Sequence, residues 1–180
     1  MNEEMHSLVR NQNWDLVQLP TKKLALHNKQ AYRLKEEDGC KKQYKDRIVV
    51  KGFAQNKYIN FFEIFSPVVK MTSIRTILSL VSVEYLHLEQ LDVKTTFLNG
   101  YLEEEIYMQQ PQGYEVEGKE NLVCRLKKSL YGLKQAPRQW YLKFDKSMIE
   151  QGYDRCHSDH CVYFKRIDNK KKYYVFIVCQ

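Results

Sequence analysis

Asp92, in the stretch "QLDVKTTF", is the residue whose chemistry stands out first. It is a carboxylate inside an otherwise strand-like segment. A buried carboxylate is costly unless it is paired or bound to a metal. For one such residue taken alone, a solvent-facing Asp at a strand end is the better expectation. Phosphoryl transfer by two metals needs oxygen ligands around hard cations held about 3.5–4 Å apart, which a single Asp cannot supply. Glu103, Glu104 and Glu105 follow the Asn99-Gly100 turn and read as a solvated charge run rather than as further ligands.

Three other stretches carry reactive or ligating types. "CHSDHC", Cys156 to Cys161, packs two Cys, two His and one Asp into six residues. Zinc accepts such ligands. Structural zinc sites usually draw their ligand pairs from separated segments, so an ordinary loop entering a strand is the better expectation. "YKDRIVVKGFAQ" sets Lys45, Arg47 and Lys51 among Tyr44 and Phe53. Basic and aromatic residues interleaved on strands can hold phosphates and stack on bases, or simply form an exposed charged sheet face. "LYGLKQAPR" puts Gly132 where the backbone must turn or a ligand must come close.

These residues need elements to position them. "NWDLVQLP" reads as a short strand closed by Pro20. "KQAYRLKEEDGCKKQYKDRIVVKGFAQ" reads as a hairpin turning at Asp38-Gly39, its second strand running from Tyr44 to Phe53. Ile74, Ile77, Leu78, Val81 and Tyr85 follow a 3.6-residue period, which predicts a helix capped by Thr72 or Ser73. "HLEQLDVKTTF", "IYMQQPQGY" and "NLVCRLKK" read as strands. A second helix follows the Gly- and Pro-containing turn. Its Trp140, Phe144 and Met148 recur every four residues, and Gly152 closes it. The apolar stripe is a core signal rather than a cofactor site. "CVYFKRIDNKKKYYVFIV" reads as a hairpin around Asp168-Asn169. The fold class expected is α+β, a largely antiparallel sheet with helices packed on one face.

At 43% hydrophobic and 13% aromatic, the 180-residue chain can build a core, so its composition does not predict disorder. Its 29 Lys and Arg against 22 Asp and Glu give a net charge of +7, which suits a polyanionic partner as well as a plain basic domain. The five cysteines are irregularly spaced and the opening residues are polar, which points to a reducing compartment. No apolar run approaches the length of a membrane span.

Taken in order, "WDLVQLP", "YKDRIVVKGFAQ", "FFEIFSPVVKMTSIR", "QLDVKTTFLNGYLEEEIYMQQPQGY" and "LKKSLYGLKQAPRQWY" resemble the reverse transcriptase of Ty1/copia-type LTR retrotransposons, from about Trp14 onward. The resemblance implies a right-hand polymerase. Residues 1–13 would be an N-terminal tail and 14–180 a truncated reverse transcriptase domain, with fingers at about 14–85 and 104–130 and a partial palm at about 86–103 and 131–180. It implies that Asp92 is the first metal-binding aspartate, that the backbone carbonyl of Val93 completes the shell of a Mg2+ ion, and that Phe97 blocks a ribose 2′-hydroxyl. Lys45 and Arg47 would lie in the fingers hairpin that grips the triphosphate. Gly132 and Lys134 would lie beneath the incoming nucleotide, and Lys51, Gln135, Pro137 and Arg138 would face nucleic acid, with Ala136 in the same loop. The implied partners are an RNA template, a DNA primer and a dNTP. No membrane is implied, the oligomeric state is left open, and the setting is a virus-like particle in the cytoplasm.

The family's next element is a Tyr-Val-Asp-Asp turn whose aspartates join Asp92. Here "YYVFIV" is followed by Cys179 and Gln180. The expectation is a chain without useful polymerase activity by itself. "KQAYRLK", and Asn60 and Phe61 in "KYINFFEIF", also depart from the family's usual residues. Two other expectations stand beside this one: a non-catalytic basic nucleic-acid-binding module, and a zinc fold built on "CHSDHC".

Overall fold

The computed structural model describes residues 2–37, 41–93, 95–167 and 171–176. Its first element is helix α1 (Asn2–Arg10), in the stretch assigned to a tail. Met5 and Leu8 are one turn apart and both are buried, so α1 is docked by its apolar face. Strand β1 (Trp14–Val17) follows, then the two-residue β2 (Ala25–Leu26).

β3 (Asn28–Glu37) and β4 (Lys41–Val50) form the expected antiparallel hairpin. The Asp38-Gly39 turn itself lies outside the described residues. β4 ends at Val50, and the chain then tightens into a 3-10 turn over Gly52–Ala54, so the strand expected to reach Phe53 is shorter. The ladder sets Arg33 opposite Lys45 and Ala31 opposite Arg47. Alternation along a strand therefore puts Lys29, Arg33, Lys45 and Arg47 on one face, and Tyr32, Leu34, Tyr44, Ile48 and Val50 on the other.

Helix α2 (Met71–Val83) matches the predicted period, but its cap does not match. Lys70 occupies the cap position and no local side chain caps the helix. Asp159 does so from 89 residues away, its carboxylate accepting the Lys70 N–H at 2.9 Å. Of the predicted stripe only Ile77 is buried; Tyr85 is 94% exposed.

The strand expected around Asp92 is absent. Residues 86–93 run without regular structure. A strand needs a neighbour to take its backbone hydrogen bonds, and among the described residues none lies alongside. A 3-10 turn (Thr96–Asn99) leads into β5 (Tyr101–Met108), which holds the three consecutive glutamates and stops before the "QQPQGY" predicted as strand. β6 (Val123–Lys128) then pairs with both β5 and β1.

The sheets are mainly antiparallel, as expected for α+β, but they are three rather than one among the described residues. The first has strand order β1-β6-β5-β2, with β2–β5 its parallel pair; the second is the β3–β4 hairpin. The third is β7 (Asp154–Arg155), β8 (Val162–Ile167) and β9 (Lys171–Phe176). The turn at Asp168-Asn169 lies outside the described residues. Helix α3 (Ala136–Glu150) joins two cores. Its first residue, Ala136, packs with Leu8, Ile48, Val50, Leu98 and Leu130. Further along, Tyr141, Phe144 and Met148 pack with Val69, Cys161 and Tyr163. Gly152, at φ +78°, lets the chain leave the helix, its N–H bonding the Ile149 carbonyl.

Candidate nucleotide site

Two backbones meet where β4 ends. Val50 N–H donates to the Tyr131 carbonyl at 2.7 Å, and Val49 bridges to Tyr131. Glycines follow on both sides, Gly132 directly after Tyr131 and Gly52 two residues after Val50. Gly132 sits at φ +91°, and a Cβ there would lie 2.1 Å from the Val50 carbonyl oxygen. A Cβ on Gly52 would lie 1.9 Å from the Gly132 oxygen. Only residues without side chains allow this contact.

The contact fixes Tyr131, whose ring gathers two of the residues singled out from sequence. Phe97 meets it edge to face, with ring centroids 6.0 Å apart at 88°. The Arg47 guanidinium carbon lies 4.8 Å from the ring centroid on the other strand system. Both geometries are favourable for an aromatic quadrupole. Burial raises the pKa of Tyr131, Arg47 opposes that shift and Glu4 adds to it. Arg47 is exposed, and Lys45 lies two residues back on the same face. Lys51 is half-buried, with its N–H on the His27 carbonyl.

A second cluster holds the loop of residues 55–61 against the start of α3. Gln135 is fully buried. Its amide accepts from Gln55 Nε2 at 3.0 Å and donates to the Asn60 carbonyl at 2.9 Å. Lys134 N–H donates to Gln55 Oε1 at 2.8 Å, while its ammonium reaches the Gln55 carbonyl at 3.1 Å and lies 5.0 Å from the Phe61 ring centre. Lys134 and Gln135 thus position this loop. Pro137 sits in the first turn of α3. Its carbonyl accepts from Ser66. Arg138 pairs with Glu63 at 2.9 Å and donates to the Phe65 carbonyl.

Asp92 and Val93 lie on the exposed irregular segment. The Val93 carbonyl accepts the Thr96 hydroxyl at 2.7 Å. Thr95 has φ +53°, uncommon for a β-branched residue, and this places local strain between Asp92 and Phe97. Among the described residues no group of three or more His, Cys, Asp or Glu could share a cation. The donor set here therefore does not fit a two-metal centre, nor does "CHSDHC" form a zinc site. Asp159 in that motif instead accepts the N–H groups of Lys70 and Cys161, and Lys70 Nζ reaches the Ser158 carbonyl at 2.6 Å.

Tyr131 was the residue that sequence reasoning passed over. Its signal is its place before Gly132, since the residue preceding a forced close approach is held as firmly as the glycine. Glu4 and Gln55 carried no signal; each matters only through a neighbour distant in the chain.

The model of the family described as reverse transcriptase (RNA-dependent DNA polymerase) matches residues 11–178. The chain is 62% identical over 167 residues to the retrovirus-related Pol polyprotein from transposon TNT 1-94 of Nicotiana tabacum, covering 92% of this chain and 13% of that protein. It is 38% identical over 161 residues to the Pol polyprotein from transposon RE2 of Arabidopsis thaliana, covering 88% and 11%. It is 28% identical over 167 residues to the Ty1-BL Gag-Pol polyprotein of Saccharomyces cerevisiae, covering 90% and 9%. The chain thus spans roughly a tenth of the length of these relatives. No solved structure matches it. With the family model matched over nearly its whole length, the chain belongs to the reverse transcriptase family, among the Pol polyproteins of copia-type transposons.

Proposed function

We propose that these residues form the nucleotide-facing part of an RNA-directed DNA polymerase. The fingers would comprise about 14–85 and 104–130, and the first part of the palm about 86–103 and 131–180. The carrying observation is the convergence of Arg47 and Phe97 on Tyr131 from two distant segments, next to the close approach of Gly132 to Val50. In this reading Arg47, with Lys45 beside it, takes the charge of a triphosphate. The Phe97 ring, braced by Tyr131, stands where a ribose 2′-hydroxyl would clash. The glycine contact holds the hairpin against the nucleotide side of the palm. Lys51 and Arg138 face template and primer, with Pro137 and Gln135 shaping the surface beneath them.

The family reaction joins a primer 3′-hydroxyl to the α-phosphate of a dNTP, and in the intact element it would run in a cytoplasmic virus-like particle. Of the carboxylates for Mg2+, these residues offer Asp92 alone. The 180-residue chain by itself should therefore not extend a primer. Templated dNTP addition abolished by Asp92→Asn would overturn that expectation.

A second reading has its own support. Lys29, Arg33, Lys45 and Arg47 share one hairpin face on a chain of net charge +7, which suits binding an RNA–DNA duplex without chemistry. Affinity for such a duplex should fall with salt, with a log–log slope of about −0.9 per phosphate neutralised on duplex DNA. Absence of binding at low salt would remove this reading.

A further inference from the structure

Two lysines from different elements converge on one exposed tyrosine. Tyr101 opens β5 and stands opposite Lys128 in the β5–β6 ladder. Gly100 lets α3 come close, since a Cβ there would lie 2.7 Å from Gln139 Cβ. Lys143 is one turn beyond Gln139 on the same helix face and so reaches the same ring. The Lys128 ammonium lies 5.6 Å from the Tyr101 ring centroid and the Lys143 ammonium 5.2 Å. Each ammonium donates to a carbonyl where a helical turn ends, Lys128 to Asn11 at 2.6 Å and Lys143 to Asn99 at 2.9 Å. Such capping accounts for the carbonyl contacts but places no demand on a tyrosine that is 61% exposed. Among the described residues no carboxylate pairs with either lysine: Asp15 is taken by Lys127 and Asp145 by Arg155. Glu103 lines a separate hollow with Asp15, Arg125 and Lys127.

We propose that Tyr101, Lys128 and Lys143 form a stacking platform for single-stranded nucleic acid, separate from the basic hairpin. Each ammonium has more donors than its one carbonyl uses and no counter-ion, which suits phosphate oxygens. The ring between them offers a π-face. A base stacked on an aromatic ring gains more than an exposed ammonium over that ring. A base therefore displaces the ammonium from the face, and the ammonium moves to the flanking phosphate. A duplex keeps its bases stacked on one another and has none to offer, so the platform selects single strands. It belongs to the first sheet, through β5 and β6, whereas the hairpin is the second. It uses neither Arg47 nor Tyr131, so it does not rest on the nucleotide-site reading above.

The test measures binding of a fluorescein-labelled oligouridylate of about 12 nucleotides to the 180-residue chain by anisotropy, in wild type, Tyr101→Leu, Tyr101→Phe, Lys143→Gln and Lys45→Gln. Y101L should weaken binding about five- to tenfold, whereas Y101F, which keeps the ring, should bind as wild type does. K143Q should lower the log–log salt slope by about 0.7, the loss of one phosphate contact on a single strand. Y101L should leave affinity for a blunt RNA duplex unchanged. A second measurement needs no variant. Bound oligouridylate should shield Lys128 and Lys143 of the wild type from acetylation by an amine-reactive ester, read by mass spectrometry. If Y101L binds oligouridylate as wild type does, or if neither lysine is shielded, the platform is overturned. A loss confined to K45Q would then assign the binding to the hairpin. An equal loss of single strand and duplex in Y101L would also overturn it, because no unstacked base would be involved.

Discussion

At the scale of single residues, the site depends on a place where no side chain fits. Gly132 combines a positive φ with a carbonyl oxygen 2.1 Å from where a Cβ would stand. Gly113 has a similar φ, +77°, with nothing within 4 Å. The pair separates two costs. Gly113→Ala should destabilise by only about 1–2 kcal/mol, the left-handed penalty. Gly132→Ala should cost about 2–4 kcal/mol because β4 and the Tyr131 turn must also part. Urea unfolding midpoints of the two variants measure the difference, and equal midpoints would show that the close approach carries no weight.

The next scale is the element, where Asp159 joins the 156–161 turn to α2. Burial works against its charged form, but hydrogen bonds from Ser73, Lys70 N–H and Cys161 N–H outweigh it and hold the carboxyl below its ordinary value. A carboxyl depressed by folding stabilises above its unfolded pKa of 3.8 and loses that contribution as pH falls through the folded value. Asp159→Ala should cost about 1–2 kcal/mol at neutral pH, as a lost helix cap does. The gap between wild type and D159A in thermal melts should be constant above about pH 5 and narrow steadily as pH falls below 3.8. A gap that does not narrow with acid would mean that packing, not charge, is at work. This cap shows why the sequence was legible only in part. The period of α2, the β3–β4 ladder and the exit at Gly152 are local patterns, and they were readable. The cap on α2 comes from 89 residues away, and no local pattern encodes it. The strand expected at Asp92 failed for a related reason, since alternation of side chains cannot supply the neighbour a strand requires. Around Tyr131, Arg47 and Phe97 were singled out through family resemblance, while Tyr131 itself is tied to them only through three-dimensional neighbours.

Across the whole molecule, apolar surface is concentrated where α2 runs into the Asp92 segment. Val83, Tyr85, Leu88 and Leu91 are 54–94% exposed there. Patches of this kind drive association when nothing covers them. The double variant Tyr85→Lys, Leu91→Lys should raise the solubility limit of the 180-residue chain and leave its melting temperature within about 2 °C, because neither side chain is packed. A drop of several degrees would mean that these residues are buried in solution.

The first sheet also sets a schedule. Trp14 pairs with Leu126, so β1 hydrogen-bonds a strand made more than a hundred residues later. Ribosomes add roughly 5–20 residues per second, so β1 leaves the exit tunnel roughly 5–20 s before its partner. Throughout that interval α1 has no finished core in which to bury Met5 and Leu8. The β3–β4 hairpin is complete long before then, because its strands are neighbours in the chain. During synthesis the basic hairpin is therefore displayed well before the Tyr131 turn arrives to meet Val50. Until then the Lys29, Arg33, Lys45 and Arg47 face stands on the nascent chain without the Tyr131 ring that later meets Arg47.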